Sequence, residues 1–222
     1  MKFMTFLESQ ELTLDKVYDL DCLFDPDKKE ETYFKGLINV NGNVSLVGEI
    51  IDHRYNHLKK LPVQFGVVKQ GLFNISGNKL TTLKGSPQKV EGSYFATDND
   101  LTSLEFSPVE VTEIYSVARN PRVTSFKGIT RSARNYDLFN CKITSLLGIH
   151  KHISYAEHLN LKGNPLTEGG LGVLLIKGLV EFVYDAAPHL DIITKYLGKG
   201  KRGMIDCQTE LIKAGYKEFA KL

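Results

Sequence analysis

Charge of one sign is what this sequence most lacks. Its 28 basic and 26 acidic residues leave a formal net charge of +2. A dedicated nucleic-acid binder carries a basic excess, because its affinity comes from neutralising phosphates. Cysteine is scarce as well: Cys22, Cys141 and Cys207 are odd in number and widely spaced. That fits neither a disulfide framework nor a zinc site, and a reducing cytosol is the simplest compartment. No apolar run is long enough to span a bilayer. The most apolar stretch, Leu171 to Val183, is broken by Gly172, Lys177, Gly178 and Glu181, so no membrane association is expected. One lysine before Phe3, with no sustained apolar region behind it, predicts no secretory signal. The 42% hydrophobic share excludes a disordered chain.

What the sequence does have is a repeat. Leu80-Thr-Thr-Leu83 recurs as Leu101-Thr-Ser-Leu104, Val123-Thr-Ser-Phe126 and Ile143-Thr-Ser-Leu146. Leu58-Lys-Lys-Leu61 is an earlier copy and Leu166-Thr167 begins a truncated last one. The leading residues follow one another at 22, 21, 22, 20 and 23 positions, the period of leucine-rich repeats. Two residues before most leading positions stands Asn56, Asn78, Asn99, Cys141 or Asn164. An inward Asn there can satisfy backbone groups that would otherwise be buried and unpaired. Upstream lie the alternating pairs Phe73 and Ile75, Tyr94 and Ala96, Tyr136 and Leu138, Leu159 and Leu161, which read as the inward residues of short strands. Gly85, Pro87, Pro108, Gly128 and Gly148 turn the chain back for the next coil. One unit departs: after Asn120 the leading residue is Val123, with Pro121 between, which predicts a one-residue bulge blurring the register of Tyr115 to Ala118.

The expected fold is an α/β solenoid of leucine-rich repeats, with units of about 21 residues and parallel strands on a concave face. Residues 1–36 are expected to form an N-terminal helical segment, with one or two short helices ending at Asp25-Pro26. Residues 37–55 hold a β-hairpin cap, turning at Asn41-Gly42, and an insertion. Residues 56–170 are the repeats, and 171–222 a helical C-terminal cap with helical spacing over His189 to Leu197 and Met204 to Ala214.

The repeated Asn-x-Leu-Thr-Ser-Leu units, the Asn-Gly turn before them and the tail Cys207-Gln-Thr-Glu-Leu-Ile-Lys-Ala-Gly215 together resemble leucine-rich-repeat proteins encoded by large tailed bacteriophages, over about residues 36–222. Val47 to Tyr55 is an insertion relative to that pattern. The opening Met1 to Glu8 also looks like the short N-terminal segments of some phage proteins packaged with the head. The resemblance implies a small solenoid without catalytic residues, acting in the host cytoplasm or carried in the virion.

Residues between the inward strand positions should line the concave face and meet a protein partner. The candidates are Arg54, Tyr55, Asn74, Phe95, Asp98, Arg119, Asp137, Phe139 and Lys162. Tyr55, Phe95 and Phe139 matter most, because aromatics and Arg dominate interface hot spots. A one-place shift of register would bury Phe95 and expose Tyr94 instead. The basic stretch Gly198 to Gly203, with Lys199, Lys201 and Arg202, lacks P-loop spacing. It is read as a flexible turn between helices, with nucleic-acid contact as the alternative. His150-Lys-His152 with His158 and Cys141 is too sparse for a metal site, and Asp98-Asn-Asp100 lacks the ligand spacing of a calcium loop. No catalytic motif is present, so neither enzymatic activity nor a cofactor is expected.

Overall fold

The structure is a computed structural model that describes residues 12–15, 24–25, 28–32, 36–47, 58–61 and 63–222. Its strands are short: β1 Leu12–Leu14, β2 Phe24–Asp25, β3 Lys28–Thr32, β4 Leu37–Val40, β5 Val44–Ser45, β6 Gln64–Val68 and β7 Phe73–Asn74 come first. They are followed by β8 Lys89–Val90, β9 Tyr94–Phe95, β10 Glu110–Val111, β11 Ile114–Ser116, β12 Asn135–Asp137, β13 His158–Asn160 and β14 Glu181–Val183. Helices are few: α1 Ile149–His152, a 3-10 turn at Leu171–Leu175, α2 Pro188–Thr194 and α3 Gly200–Lys213.

Two parallel sheets run up the molecule. One has the order β1-β4-β6-β8-β10, the other β14-β13-β12-β11-β9-β7-β5. Parallel bridges from Glu110 to Ser132, Ser132 to Tyr155 and Tyr155 to Lys177 extend the first sheet through the later coils. The chain is therefore a parallel-strand β-solenoid of about six turns. The second sheet positions the candidate site.

Period-two alternation explains its core. Phe73, Tyr94, Tyr115, Tyr136, Leu159 and Phe182 are paired in one row across the sheet, and all are buried. Phe73 and Tyr94 stack at 5.6 Å between ring centroids, Tyr94 and Tyr115 at 5.5 Å. The Tyr94 and Tyr115 hydroxyls bond Ser86 and Ser107, each at 2.8 Å, so these rings enter the core without an unsatisfied oxygen. The leading residues Leu80, Leu101, Val123 and Ile143 are buried beside them.

A polar ladder runs through the same interior. The Leu58, Leu80, Leu101 and Ile143 N–H groups donate to the side-chain oxygens of Asn78, Asn99, Asn120 and Asn164. Each amide nitrogen donates back to carbonyls of its own and the preceding coil, as Asn120 does to Val117 and Ala96. The Asn120 unit shows why Cys141 can stand in this row. Because of the extra residue, the Val123 N–H is taken by the Asn120 carbonyl at 3.1 Å. The leading-residue amide that the other ladder side chains accept from is thus already satisfied, and the Cys141 thiol donates to the Val117 carbonyl, 3.5 Å away. The register expected to blur here does not: Tyr115 pairs with both Tyr94 and Tyr136, and Pro121 is absorbed after the ladder rather than in the strand.

Two other expectations are corrected, and a third lies mostly beyond the described residues. The expected N-terminal helices fall largely outside the described residues, and what is described there is strand: β1 pairs in parallel with β4, and β2 is antiparallel to β3. The hairpin at Asn41-Gly42 does not form. The turn is a corner between sheets, with β4 paired to β6 in one and β5 to β7 in the other. Both strands find longer-range parallel partners, so the turn joins two faces of one coil. Gly198 to Gly203 is not all turn either, since α3 begins at Gly200. At the C-terminal end the 3-10 turn and β14 extend the core, and Gly169 and Leu171 donate to the carbonyls of Glu218 and Lys221.

Among the described residues five that are not glycine have positive φ, and Phe106 is the largest and most apolar of them. Five residues after the leading position, Gly85, Gly128 and Gly148 have φ of 102°, 84° and 67°, and the third coil puts Phe106 there at 71°. A side chain in the left-handed region costs about 1–2 kcal/mol. Because the Phe106 ring is 59% exposed, little burial offsets this. Phe106→Gly is expected to raise the unfolding free energy by about 0.5–1 kcal/mol after the flexibility of glycine is subtracted. Urea denaturation in dilute solution checks it, and a destabilised variant would contradict the strain assignment.

Candidate functional site: the outer face of the seven-stranded sheet

Side chains alternate across a strand, so the residues between the buried ones project from the sheet. The paired row Asn74, Phe95, Ser116, Asp137, Asn160 and Val183 crosses its outer face. Tyr94 is buried and Phe95 is half-buried, so the register places Phe95 outward. Two residues beyond the row, Phe139 is also half-buried and Lys162 exposed. Arg54 and Tyr55 lie outside the described residues.

Asp137 is the centre of this face. It accepts from the Ser116 hydroxyl at 3.0 Å, the Asn160 amide at 3.0 Å and the Phe139 N–H at 3.1 Å. Asn74 and Asn160 likewise accept from the N–H two residues on, in Ser76 and Lys162. These side chains thus fix the backbone as it leaves each strand. Ser116 escapes a reading of the sequence: it lies in the unit whose register Pro121 obscures, and it is small and buried. Its only sequence signal is the 21-residue spacing to Asp137.

Asp98 and Arg119 form a bidentate pair on neighbouring coils. Arg119 Nε donates to Asp98 Oδ1 at 2.6 Å and Nη2 to Oδ2 at 2.5 Å. Both occupy the position just before the ladder residue, where φ is positive in every described coil: Gly77 71°, Asp98 53°, Arg119 56°, Asn140 54° and Gly163 80°. The shared backbone bend aligns the two side chains. The Arg119 hydrogen bond holds the Asp98 carboxyl below the usual carboxylate range, and Asp98 in turn raises Arg119. Both side chains are about half exposed, so solvent screening keeps the pair's stabilisation small. It rigidifies the two residues more than it stabilises the fold.

The other candidates do not converge on this face. Lys199, Lys201 and Arg202 are exposed at the start of α3, whose first turn carries no acidic residue. His150 and His152 lie in α1, His158 in β13, and Cys141 in the interior ladder. Among the described residues no three of His, Cys, Asp or Glu are grouped to hold a metal ion, and no helix is long and apolar enough to cross a membrane.

The two described thiols are shielded. Burial pushes Cys141 and Cys207 up to about 11, so little thiolate exists at neutral pH. In a Cys22→Ser chain no thiol is expected to react promptly with a disulfide reagent at pH 8 until denaturant is added. Rapid titration of either one in the folded protein would contradict its placement.

Comparison with protein-family models, curated proteins and solved structures finds no match for the chain. The class that fold and site define is a parallel-strand β-solenoid presenting one continuous polar sheet face with two aromatic side chains in it.

Proposed function

We propose that the chain is a leucine-rich-repeat module of the kind encoded by large tailed bacteriophages, and that it is a non-catalytic protein-binding factor engaging a host or virion protein through the outer face of its seven-stranded sheet. The observation that carries this reading is the single row from Asn74 to Val183, with Phe95 and Phe139 half-buried in and beside it. An aromatic already held on a sheet loses little conformational freedom on binding, which makes it a favourable contact. The Asp137 hydrogen bonds and the Asp98–Arg119 pair hold the surrounding polar groups in place, so a partner meets a preformed surface.

Affinity capture from phage-infected cell lysate tests the reading. Phe95→Ala with Phe139→Ala should weaken capture at least tenfold, and Arg119→Glu with Lys162→Glu should weaken it further while circular dichroism stays unchanged. Specific capture that survived all four substitutions would remove the sheet face from the proposal.

A further inference from the structure

Among the described residues most of the exposed large apolar side chains lie away from the outer face of the seven-stranded sheet. Among the described residues ten large hydrophobics are exposed. Six of them lie in three of the coils on the side of the five-stranded sheet and its bridges: Phe106 and Val109, Leu147 and Tyr155, Leu175 and Val180. Single exposed apolar residues are ordinary, whereas a clustered set marks an interaction surface. Phe106 stands out within the set, because it holds a backbone conformation that glycine takes at the same place in three other coils and its ring is mostly in solvent.

At the last coil lies a half-open pocket of about 220 Å³ with a mixed polar and apolar lining that includes Ile176, Leu179, Val180 and Leu197. Benzene fills a space of roughly 150 Å³, so by volume this pocket has room for a phenyl ring. The bridges fix the relation between the two features. Glu110, Ser132, Tyr155 and Lys177 are successive partners, so Phe106 and the cavity share one flank, three coils apart. At the spacing of parallel strands that is about 14 Å along the solenoid.

A surface with a projecting ring at one end and a cavity at the other is complementary to itself. We propose that this flank is a two-fold interface between two copies of the chain, with Phe106 of each entering the cavity of the other. An axis along the strand direction reverses the coil order and keeps the strand phase, as an isologous interface requires. It sets Glu110 opposite Lys177 of the second copy. Glu110 lies 3.8 Å from Lys89 and keeps about half its side chain in solvent. Lys177 is exposed and makes no ion pair with a described residue. The outer face of the seven-stranded sheet stays free in this arrangement.

Sedimentation velocity on the full chain between about 1 and 100 µM tests the interface. The wild type should pass from monomer to dimer and stop there. Phe106→Gly and Val180→Asp, both at exposed positions, should each weaken association at least tenfold with circular dichroism unchanged. An equimolar mixture of the two variants should recover part of it, because one Phe106 then meets one intact cavity. A chain that stays monomeric at 100 µM, or a dimer unmoved by both substitutions, overturns the proposal. So does a mixture that associates no better than the variants alone.

Discussion

Replacing Asn120 by alanine is expected to lower the unfolding free energy by about 2–4 kcal/mol. The side chain is fully buried, its oxygen receives the Leu101 N–H, and its nitrogen serves the Ala96 and Val117 carbonyls. Alanine leaves the Leu101 N–H without a partner in a space closed to water, at roughly 1–3 kcal/mol when relaxation is incomplete, and takes the nearer donor from the Ala96 and Val117 carbonyls, which keep the Asn99 amide and the Cys141 thiol. Cys141→Ala is the control, because residue 141 occupies the same row and only its thiol donates, weakly, to the Val117 carbonyl. Its loss should be about 1 kcal/mol. Urea unfolding of the two variants measures the difference. Equal losses would mean that the row is held by packing rather than by its hydrogen bonds.

Tyr115→Ala should have a comparable effect, about 3–5 kcal/mol, which is the usual range for deleting a buried aromatic ring. The ring lies between Tyr94 and Tyr136, at 5.5 and 5.8 Å between centroids. In a solenoid each coil touches only its neighbours, so a void here weakens the link between the two halves as well as one coil. Tyr115→Phe keeps the stack and removes the bond to Ser107, and about 1 kcal/mol should be lost. Thermal and urea denaturation give both values. A loss below about 1 kcal/mol for the alanine variant would show that the ring is not part of the core.

The inward residues were legible in the sequence for a definite reason. Burial on one face of a short strand imposes period two, and stacking imposes recurrence, so Phe73, Tyr94, Tyr136 and Leu159 announce themselves without any partner being known. The ladder Asn residues were legible because a buried chain bend needs a donor and an acceptor in one compact side chain. The outward position of Phe95 then followed from the burial of Tyr94. Less of the candidate site could be read. The Asp98–Arg119 pair depends on a left-handed backbone position that no motif advertises, and Ser116 gains its meaning only from Asp137 one coil away.

The sequence by itself determined which side chains face inward and that coils stack in register, since both follow from local alternation and its repetition. The tertiary structure alone decided what lies across from what. Asn41-Gly42 suits a hairpin or a corner equally well as turn chemistry, and it became a corner because Val44 pairs with Phe73 and Val40 with Val68. The exposure of Phe106 is likewise decided by the tertiary structure. Only the position it shares with Gly85, Gly128 and Gly148 turns it outward, because a backbone bend set by the closing of each coil fixes the direction of the side chain.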